Sequence, residues 1–203
     1  MDCDNVITLE NVGLELGGRY ILKNVSLEIH PGEVHLILGR SGSGKTSLLN
    51  VLNGLYKPSS GHVVLHGEKI GYYHQELALI ENISIYENLK IFGLILGQAF
   101  TRKQACQCLE KLGLSEQCDQ DVSCLSGGER QRAAFAKLLL FHYDVILIDE
   151  PTNNLDDMNV SHIIEAIHEL KRMKSTVVLV SHCQRMREVA DAVFQMEEIN
   201  EGC

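Results

Sequence analysis

The residues from Gly39 to Thr46 read Gly-Arg-Ser-Gly-Ser-Gly-Lys-Thr, which fits the pattern G-x-x-x-x-G-K-S/T at every fixed position. Glycines at this spacing let backbone N–H groups turn inward around phosphate oxygens, and the helix that follows adds its positive N-terminus. In this pattern Lys45 reaches the β- and γ-phosphates and the Thr46 hydroxyl binds Mg²⁺. The pattern predicts a nucleoside triphosphate site, since an ordinary glycine-rich turn would not need a strand before it and a helix after it. The predicted phosphate-binding set is Gly39, Arg40, Ser41, Gly42, Ser43, Gly44, Lys45, Thr46 and Ser47.

A pair of acids, Asp149 and Glu150, follows the apolar run Val145–Ile148. Ligands of open α/β sheets bind at the carboxyl ends of buried strands, where these two carboxylates are expected. Asp149 is predicted to hold Mg²⁺ directly or through water, and Glu150 to act as the general base for the attacking water. The alternative is that the two acids only cap the turn before Pro151. The loop at Gly39–Thr46 favours the catalytic interpretation.

A second glycine-rich turn, Leu125-Ser126-Gly127-Gly128-Glu129, precedes an apolar helix predicted over about Arg130 to Phe141. It is compatible with a second anion site at a helix N-terminus and equally with a simple Ser126 N-cap that has Glu129 at position N3. The residues alone leave both interpretations open.

The elements around these motifs alternate between buried strands and helices. Short apolar runs at Val34–Leu38, Val145–Ile148 and Thr176–Val180 are typical of buried parallel strands, and a helix is predicted between the last two. The first thirty residues alternate around Gly17-Gly18, which predicts antiparallel strands. Thr101 and Gln104 form a capping-box pattern within a helical insert expected at about 85–125. We therefore expect one α/β domain over 1–203, with a mainly parallel sheet flanked by helices, an N-terminal antiparallel β subdomain and a small helical insert.

Composition excludes several classes of protein. The chain of 203 residues carries a formal net charge of −9, which argues against a nucleic-acid partner, and it contains no apolar run long enough to span a bilayer. Seven scattered cysteines without Cys-x-x-Cys spacing indicate thiols rather than a zinc or redox site. With no secretory signal pattern at the start, the expected location is the cytoplasm.

Taken together, the motifs resemble those of the ATP-binding subunits of ABC transporters, whose signature is matched by Leu125-Ser-Gly-Gly-Glu-Arg-Gln-Arg132. The resemblance covers nearly the whole chain, from Tyr20 to His182, and implies the fold of P-loop nucleoside triphosphatases. It implies that Tyr20 stacks on adenine and that Gln75 is a catalytic residue that touches Mg²⁺. It also implies that Asn153-Asn-Leu-Asp156 crosses between subunits and that His182 hydrogen-bonds the γ-phosphate. One departure is Cys183, which stands where the family commonly has an acid.

The resemblance also explains two anion sites in one chain. It implies a head-to-tail homodimer in which Ser126, Gly127, Gly128 and Asp156 of one subunit close over ATP held by Lys45 of the other. ATP hydrolysis would then drive a separate membrane-spanning permease, with the chain bound to the cytoplasmic face of the membrane. The minimal size and the crossing loop are most similar to exporters of the lipoprotein-releasing, macrolide and bacteriocin type, which implies export of a substrate such as a peptide or lipoprotein. The alternative is a soluble member of the superfamily in DNA repair, translation or iron–sulfur assembly, although none of the extra features usual in those relatives is visible.

Overall fold

The computed structural model describes residues 5–67, 69–74, 79–153 and 155–201. The strands are β1 (Ile7–Leu16), β2 (Arg19–Ile29), β3 (Val34–Leu38), β4 (Ser60–Leu65), β5 (Ile70–Tyr73), β6 (Val145–Asp149), β7 (Thr176–Ser181) and β8 (Ala192–Gln195). The α-helices are α1 (Lys45–Leu52), α2 (Ile85–Leu96), α3 (Arg102–Lys111), α4 (Gly127–Leu140), α5 (Asp157–Arg172) and α6 (Met196–Ile199). No helix within the described ranges is long and apolar enough to cross a bilayer.

A parallel sheet of five strands forms the centre, in the order β5-β6-β7-β3-β8. Every residue of β3, β6 and β7 is buried, as expected for strands covered on both faces. Because neighbouring parallel strands end at one edge, the residues after Leu38, Asp149 and Ser181 come together there. The predicted parallel sheet is confirmed, and β8, which the sequence patterns did not indicate, extends it beside β3.

The N-terminal antiparallel strands are also confirmed. A separate sheet has the order β2-β1-β4, with β1 paired antiparallel to both neighbours. The inward-facing residues of β1 and β2 pack against α1 and the parallel sheet, in one apolar cluster that includes Leu22, Ile37, Leu48 and Val180. Packing of this sheet on α1 brings the start of β2 to the region of the Gly39–Thr46 loop.

The helical insert is built from α2 and α3, followed by a 3₁₀ turn at Val122–Cys124. Thr101 caps α3 with the reciprocal capping box predicted from its spacing to Gln104. Ser84 and Glu87 form an equivalent box at the start of α2. These caps satisfy the free N–H groups of the first helical turn and fix where each helix begins.

Helix α4 begins at Gly127, three residues before the start predicted at Arg130. Two glycines lower helix propensity, which is why the sequence pattern placed them in a loop. The Ser126 side chain accepts from the Glu129 backbone N–H, and the Glu129 side chain accepts from the Ser126 backbone N–H. This reciprocal capping box draws both glycines into the first turn of the helix.

Candidate active site

The phosphate-loop motif lies between β3 and α1, in the context that the pattern predicted. Gly44 is the N-cap of α1 and has a φ of 98°, which favours glycine. A Cβ at Gly44 would lie 3.0 Å from the carbonyl oxygen of Ile21, so that β2 and the loop can approach closely only without a side chain there. The loop therefore turns directly into the N-terminus of α1 with its backbone against β2.

Lys45 lies at the base of a cleft bordered by this loop. Its side chain is 6% exposed, and its Nζ donates to the carbonyl oxygens of Gly39 and Arg40, each at 2.8 Å. The same Nζ is 3.4 Å from Oε1 of Glu150. The ammonium group is thus held in a fixed position, beside a carboxylate that reduces the cost of burying its charge.

The cleft has a volume of about 660 Å³, within the range that binds a nucleotide-sized ligand. Its walls bring together the phosphate loop, the end of β6 and the end of β7. The lining residues are Ile21, Arg40, Ser41, Gly42, Gly44, Lys45, Thr46, Ser47, Glu150, Asn153 and His182.

Thr46 and Asp149 are in direct contact at the edge of the sheet. The Thr46 hydroxyl donates to Oδ1 of Asp149 at 3.2 Å, and the Asp149 side chain is 1% exposed. Burial raises the pKa of Asp149, while the hydrogen bond from Thr46 and the nearby His74 act in the opposite direction. A buried carboxylate and a hydroxyl are oxygen ligands of the kind that Mg²⁺ prefers, so these two residues fit a magnesium site.

Glu150 is held in an unusual backbone conformation. Its φ is 46°, a region that residues other than glycine rarely adopt, and its N–H donates to the Val180 carbonyl at 3.0 Å. Oε2 of Glu150 accepts from the His182 backbone N–H at 3.2 Å and lies 2.9 Å from Nδ1 of the His182 ring. Oε1 faces Lys45. The Glu150 carboxylate is therefore oriented inside the cleft by His182 at one oxygen and by Lys45 at the other.

Three residues whose roles were implied by the family resemblance, Tyr20, Asp156 and Gln75, are not all placed in the cleft. Tyr20 is 60% exposed at the start of β2, next to Ile21 in the cleft wall. Asp156 caps α5, where its Oδ1 accepts from the Asn159 N–H at 2.8 Å. Gln75 lies outside the described residues, so its proposed role stays a prediction.

The second glycine-rich turn does not face this cleft. Among the described residues that line the cleft, none belongs to Ser126–Gly128. Ser126 is exposed, and Gly128 packs on the start of α5, where a Cβ would lie 3.1 Å from the Asn159 side chain. The second glycine-rich turn therefore lies apart from the phosphate loop within one chain, and its Ser126 is the N-cap of α4.

Two residues that sequence reasoning did not select contact the site from outside. The Gln131 side chain donates through Nε2 to the Pro151 carbonyl at 2.7 Å, directly after Glu150. The Asn200 side chain donates to the Ser43 carbonyl at 3.3 Å. Asn200 has no local pattern that could have identified it, because its partners are far away along the chain, whereas Gln131 lies within the signature motif Leu125–Arg132 and only its contact with Pro151 was not predictable.

The fold and the site define the P-loop class of nucleoside triphosphatases, with a phosphate loop after β3 and the carboxylates of Asp149 and Glu150 at the end of β6, on the same edge of the sheet. A sequence model of the ABC transporter family matches residues 22–153. The chain belongs to the ABC transporter family, and its fold is that of the ATP-hydrolysing cassette of this family.

Solved structures with similar sequences and folds include a cassette described as MJ0796 in a dimeric post-hydrolysis state with ADP and Pi bound. It is 31% identical, with a TM-score of 0.81, and the match covers 97% of this chain and 95% of that one. Another is CbiO1 from Clostridium perfringens, part of an ABC transporter complex, which is 28% identical with a TM-score of 0.82 and coverage of 98% and 86%.

Curated relatives include both export and import proteins. The macrolide export ATP-binding/permease protein MacB of Campylobacter jejuni is 35% identical over 95% of this chain and 33% of its own length. A putative ribose/galactose/methyl galactoside import ATP-binding protein of Agrobacterium fabrum is 31% identical over 97% of this chain and 42% of its own length. The chain thus spans less than half the length of these relatives, and they do not agree on the direction of transport.

Proposed function

We propose that this chain binds MgATP in the cleft above Lys45 and hydrolyses it, as the ATP-binding subunit of an ABC transporter. The observation that carries the proposal is the convergence of Lys45, the Thr46–Asp149 pair and the Glu150–His182 pair at the carboxyl ends of β3, β6 and β7. A cation, a metal-ligand pair and an oriented base are the parts that phosphoryl transfer to water requires.

The triphosphate is proposed to bind to the N–H groups of the loop and to Lys45. Lysine carries three N–H donors, and two of them are used by Gly39 and Arg40. The Nζ to Glu150 distance of 3.4 Å is a weak contact that a phosphate oxygen can replace. Lys45 then stabilises the charge that develops on the phosphoryl oxygens, and release of Lys45 leaves the Glu150 carboxylate free to accept a proton.

Mg²⁺ is proposed to be held by Thr46 and Asp149. The metal supplies neutralisation of phosphate charge when it is bound. The buried Asp149 carboxylate would gain a compensating cation, which removes the cost of its desolvation. Gln75 is proposed as a further contact to the metal.

Glu150 is proposed as the general base. A water positioned beside it attacks the γ-phosphorus, its proton passes to the carboxylate, and the bond to the bridging oxygen breaks to release ADP and phosphate. His182 has two roles in this proposal: it fixes the carboxylate through Oε2, and its ring, whose side chain is 62% exposed at the cleft rim, can hydrogen-bond the γ-phosphate.

A second copy of the chain is proposed to complete each site. Ser126–Gly128 lie at an exposed helix N-terminus away from the cleft of their own chain, so they can contact ATP only from another subunit. The dimeric state named for the MJ0796 cassette supports a homodimer, and the proposed arrangement of its two chains is head to tail. Asp156, three residues beyond Asn153 of the cleft wall, is proposed to lie at the interface.

The proposed partner is a separate membrane-spanning permease, with the chain bound at the cytoplasmic face and one domain extending over residues 1–203. Export is proposed because the sequence identity of this chain to the macrolide export proteins, 34–35%, is higher than its identity to the sugar import proteins, 31–32%. Co-expression with the membrane protein encoded beside this chain tests the coupling. Formation of a complex with altered ATP turnover is expected, whereas no binding and unchanged turnover would contradict it.

Substitution of Lys45 tests the ATP site itself. Lys45→Ala removes the fixed cation and should weaken ATP binding by about 100-fold, as expected for the loss of a charge-assisted contact worth about 3 kcal/mol. The affinity is measured by calorimetry with Mg²⁺ present. Unchanged affinity would refute the assignment of the phosphate loop.

A further inference from the structure

The segment after β8 supports the phosphate loop from the side away from the cleft. A Cβ on Gly39 would lie 2.7 Å from the Cβ of Met196, so the loop begins in close contact with α6. Oε1 of Glu197 accepts from the Arg40 backbone N–H at 2.9 Å. The first two residues of the loop therefore rest on this segment.

Asn200, the residue after α6, joins the loop to β2. It is 1% exposed, and its Nδ2 donates to the Ile21 carbonyl at 3.0 Å and to the Ser43 carbonyl at 3.3 Å. Its Oδ1 accepts from the Lys23 N–H at 2.8 Å. One buried amide thus makes hydrogen bonds with two elements that are far apart in the sequence.

The partners of Asn200 belong to the two parts of the cleft. Ser43 is in the phosphate loop, and Ile21 lines the cleft next to the exposed Tyr20. A ligand with phosphates at one end and an aromatic base at the other would contact both parts. The separation of loop and strand therefore determines whether both contacts can form together.

We infer that Asn200 is a positioning residue that sets the spacing between the phosphate loop and β2 and so raises the affinity for a nucleotide over that for its phosphates alone. This inference rests on the proposed function of the cleft. Without the amide, the carbonyl oxygens of Ile21 and Ser43 lose the Nδ2 donor that they share, and the Lys23 N–H loses its acceptor. Carbonyls that lose a buried donor favour a wider arrangement that admits water.

A merely stabilising role for Asn200 makes a different prediction. If Asn200 only stabilised the fold, its loss would lower the affinity for every ligand of the cleft equally. If it positions the two parts, its loss lowers mainly the affinity for a ligand that contacts both the phosphate loop and the start of β2. Asn200 is not among the residues that line the cleft, so it has no direct contact by which it could select between such ligands.

Asn88 provides a matched control. It is also 1% exposed, and its Oδ1 accepts from the Ile80 N–H at 2.7 Å. Its Nδ2 donates to the Ile80 and Ser84 carbonyls, each at 3.0 Å. It therefore has the same residue type, the same burial and the same kinds of side-chain hydrogen bond, but it lies within the helical insert.

The experiment compares the dissociation constants of ATP and inorganic tripolyphosphate for the wild-type chain, Asn200→Ala and Asn88→Ala, with melting temperatures measured alongside. Asn200→Ala should weaken ATP binding about tenfold and tripolyphosphate binding less than about threefold. The reason is that ATP contacts both the phosphate loop and the start of β2, whereas tripolyphosphate contacts only the loop. Asn88→Ala should lower the melting temperature and leave the ratio of the two affinities at the wild-type value.

Equal weakening of both ligands, or an unchanged ratio, would overturn the inference. A wild-type chain that binds neither ligand would instead overturn the proposed function. If Asn200→Ala does not fold, Asn200→Asp replaces it, since the carboxylate keeps the acceptor for Lys23 but places an oxygen against the two carbonyls. The same selective loss of ATP affinity is expected, and its absence would contradict the inference.

Discussion

Glu150 and His182 are in direct contact through one carboxylate oxygen. Oε2 of Glu150 accepts from the His182 backbone N–H and lies 2.9 Å from the Nδ1 of its ring. Since β6 and β7 are parallel neighbours, the residues that follow them meet at the same edge of the sheet. The contact orients the Glu150 carboxylate while its other oxygen faces Lys45, so that Lys45, Glu150 and His182 form one contiguous cluster.

Glu150→Gln is expected to keep ATP binding and to lower the turnover rate at least about 100-fold, because a neutral amide cannot accept the proton of water. ATP that is bound but not cleaved should trap the dimer. Steady-state phosphate release and size-exclusion chromatography with MgATP measure the two effects. Glu116→Gln, an exposed change in the loop after α3, should behave as the wild type, and near-normal turnover of Glu150→Gln would show that another group is the base.

Asp149→Asn should raise the melting temperature of the ligand-free chain while it removes stabilisation by MgATP. The pKa of Asp149 is raised in the folded chain, mainly by burial, so its charged form is disfavoured relative to the unfolded state. The free-energy cost of burying the charged carboxylate is fully present above the raised pKa of the folded chain, and it disappears as pH falls below the pKa that Asp149 has in the unfolded chain. The amide removes the charge and still accepts from Thr46. Thermal melts at neutral pH with and without MgATP test this, and a lower melting temperature without ligand would contradict it.

The gain in stability from Asp149→Asn should also depend on pH. At acidic pH the wild-type carboxyl is protonated, so the variant and the wild type should melt at more similar temperatures than at neutral pH. A difference that stays constant or grows as pH falls would show that desolvation of the charge is not its cause.

Gln131→Ala is expected to lower kcat about three- to tenfold with little change in KM. The lost hydrogen bond to the Pro151 carbonyl helps hold the backbone beside Glu150, whose φ of 46° needs support from its surroundings. Gln107→Ala, an exposed change on α3, serves as the control for the loss of a glutamine side chain. An increase in KM with unchanged kcat would indicate that Gln131 affects ATP binding instead.

Cys183→Ala should leave ATP turnover within about twofold of the wild type, as is usual for substitutions away from a functional contact. The Cys183 side chain packs half-buried against the apolar cluster under β7, and its backbone N–H donates to Oγ of Ser181 at 3.0 Å. The orientation of His182 comes from Glu150. A turnover assay tests this, and a large loss would show that the thiol takes over a role of the acid common in the family.

The parallel core was predictable because its strands are short apolar runs with turn residues at each end. β3 has the predicted bounds, and β6 and β7 are each one residue longer than predicted. β8 was missed because it has only four residues, of which none is fully buried, and they show no detectable period. The start of α4 was misplaced because the capping box of Ser126 and Glu129 outweighs the low helix propensity of two glycines.

The proximity of Lys45, Asp149, Glu150 and His182 was predictable for a similar reason, since each lies at or after the carboxyl end of a strand of one parallel sheet. The conformation of Glu150 was not predictable, because its positive φ depends on tertiary contacts with Val180 and His182. Asn200 gave no sequence signal, and Gln131 was noted only as part of the signature motif Leu125–Arg132. The contacts of both amides are made with partners that only folding brings close.

In the proposed dimer each site combines Lys45 of one chain with Ser126 of another, and a mixture of two inactive variants can show whether the sites are shared. Lys45→Ala removes the cation, and Ser126→Asp adds a negative charge toward phosphate while retaining an N-cap side chain. Each variant alone should be inactive, but equal mixtures that exchange subunits should recover about a quarter of wild-type ATP turnover, because half of the dimers then contain one intact site. No recovery in a mixture shown to contain mixed dimers would contradict the shared site.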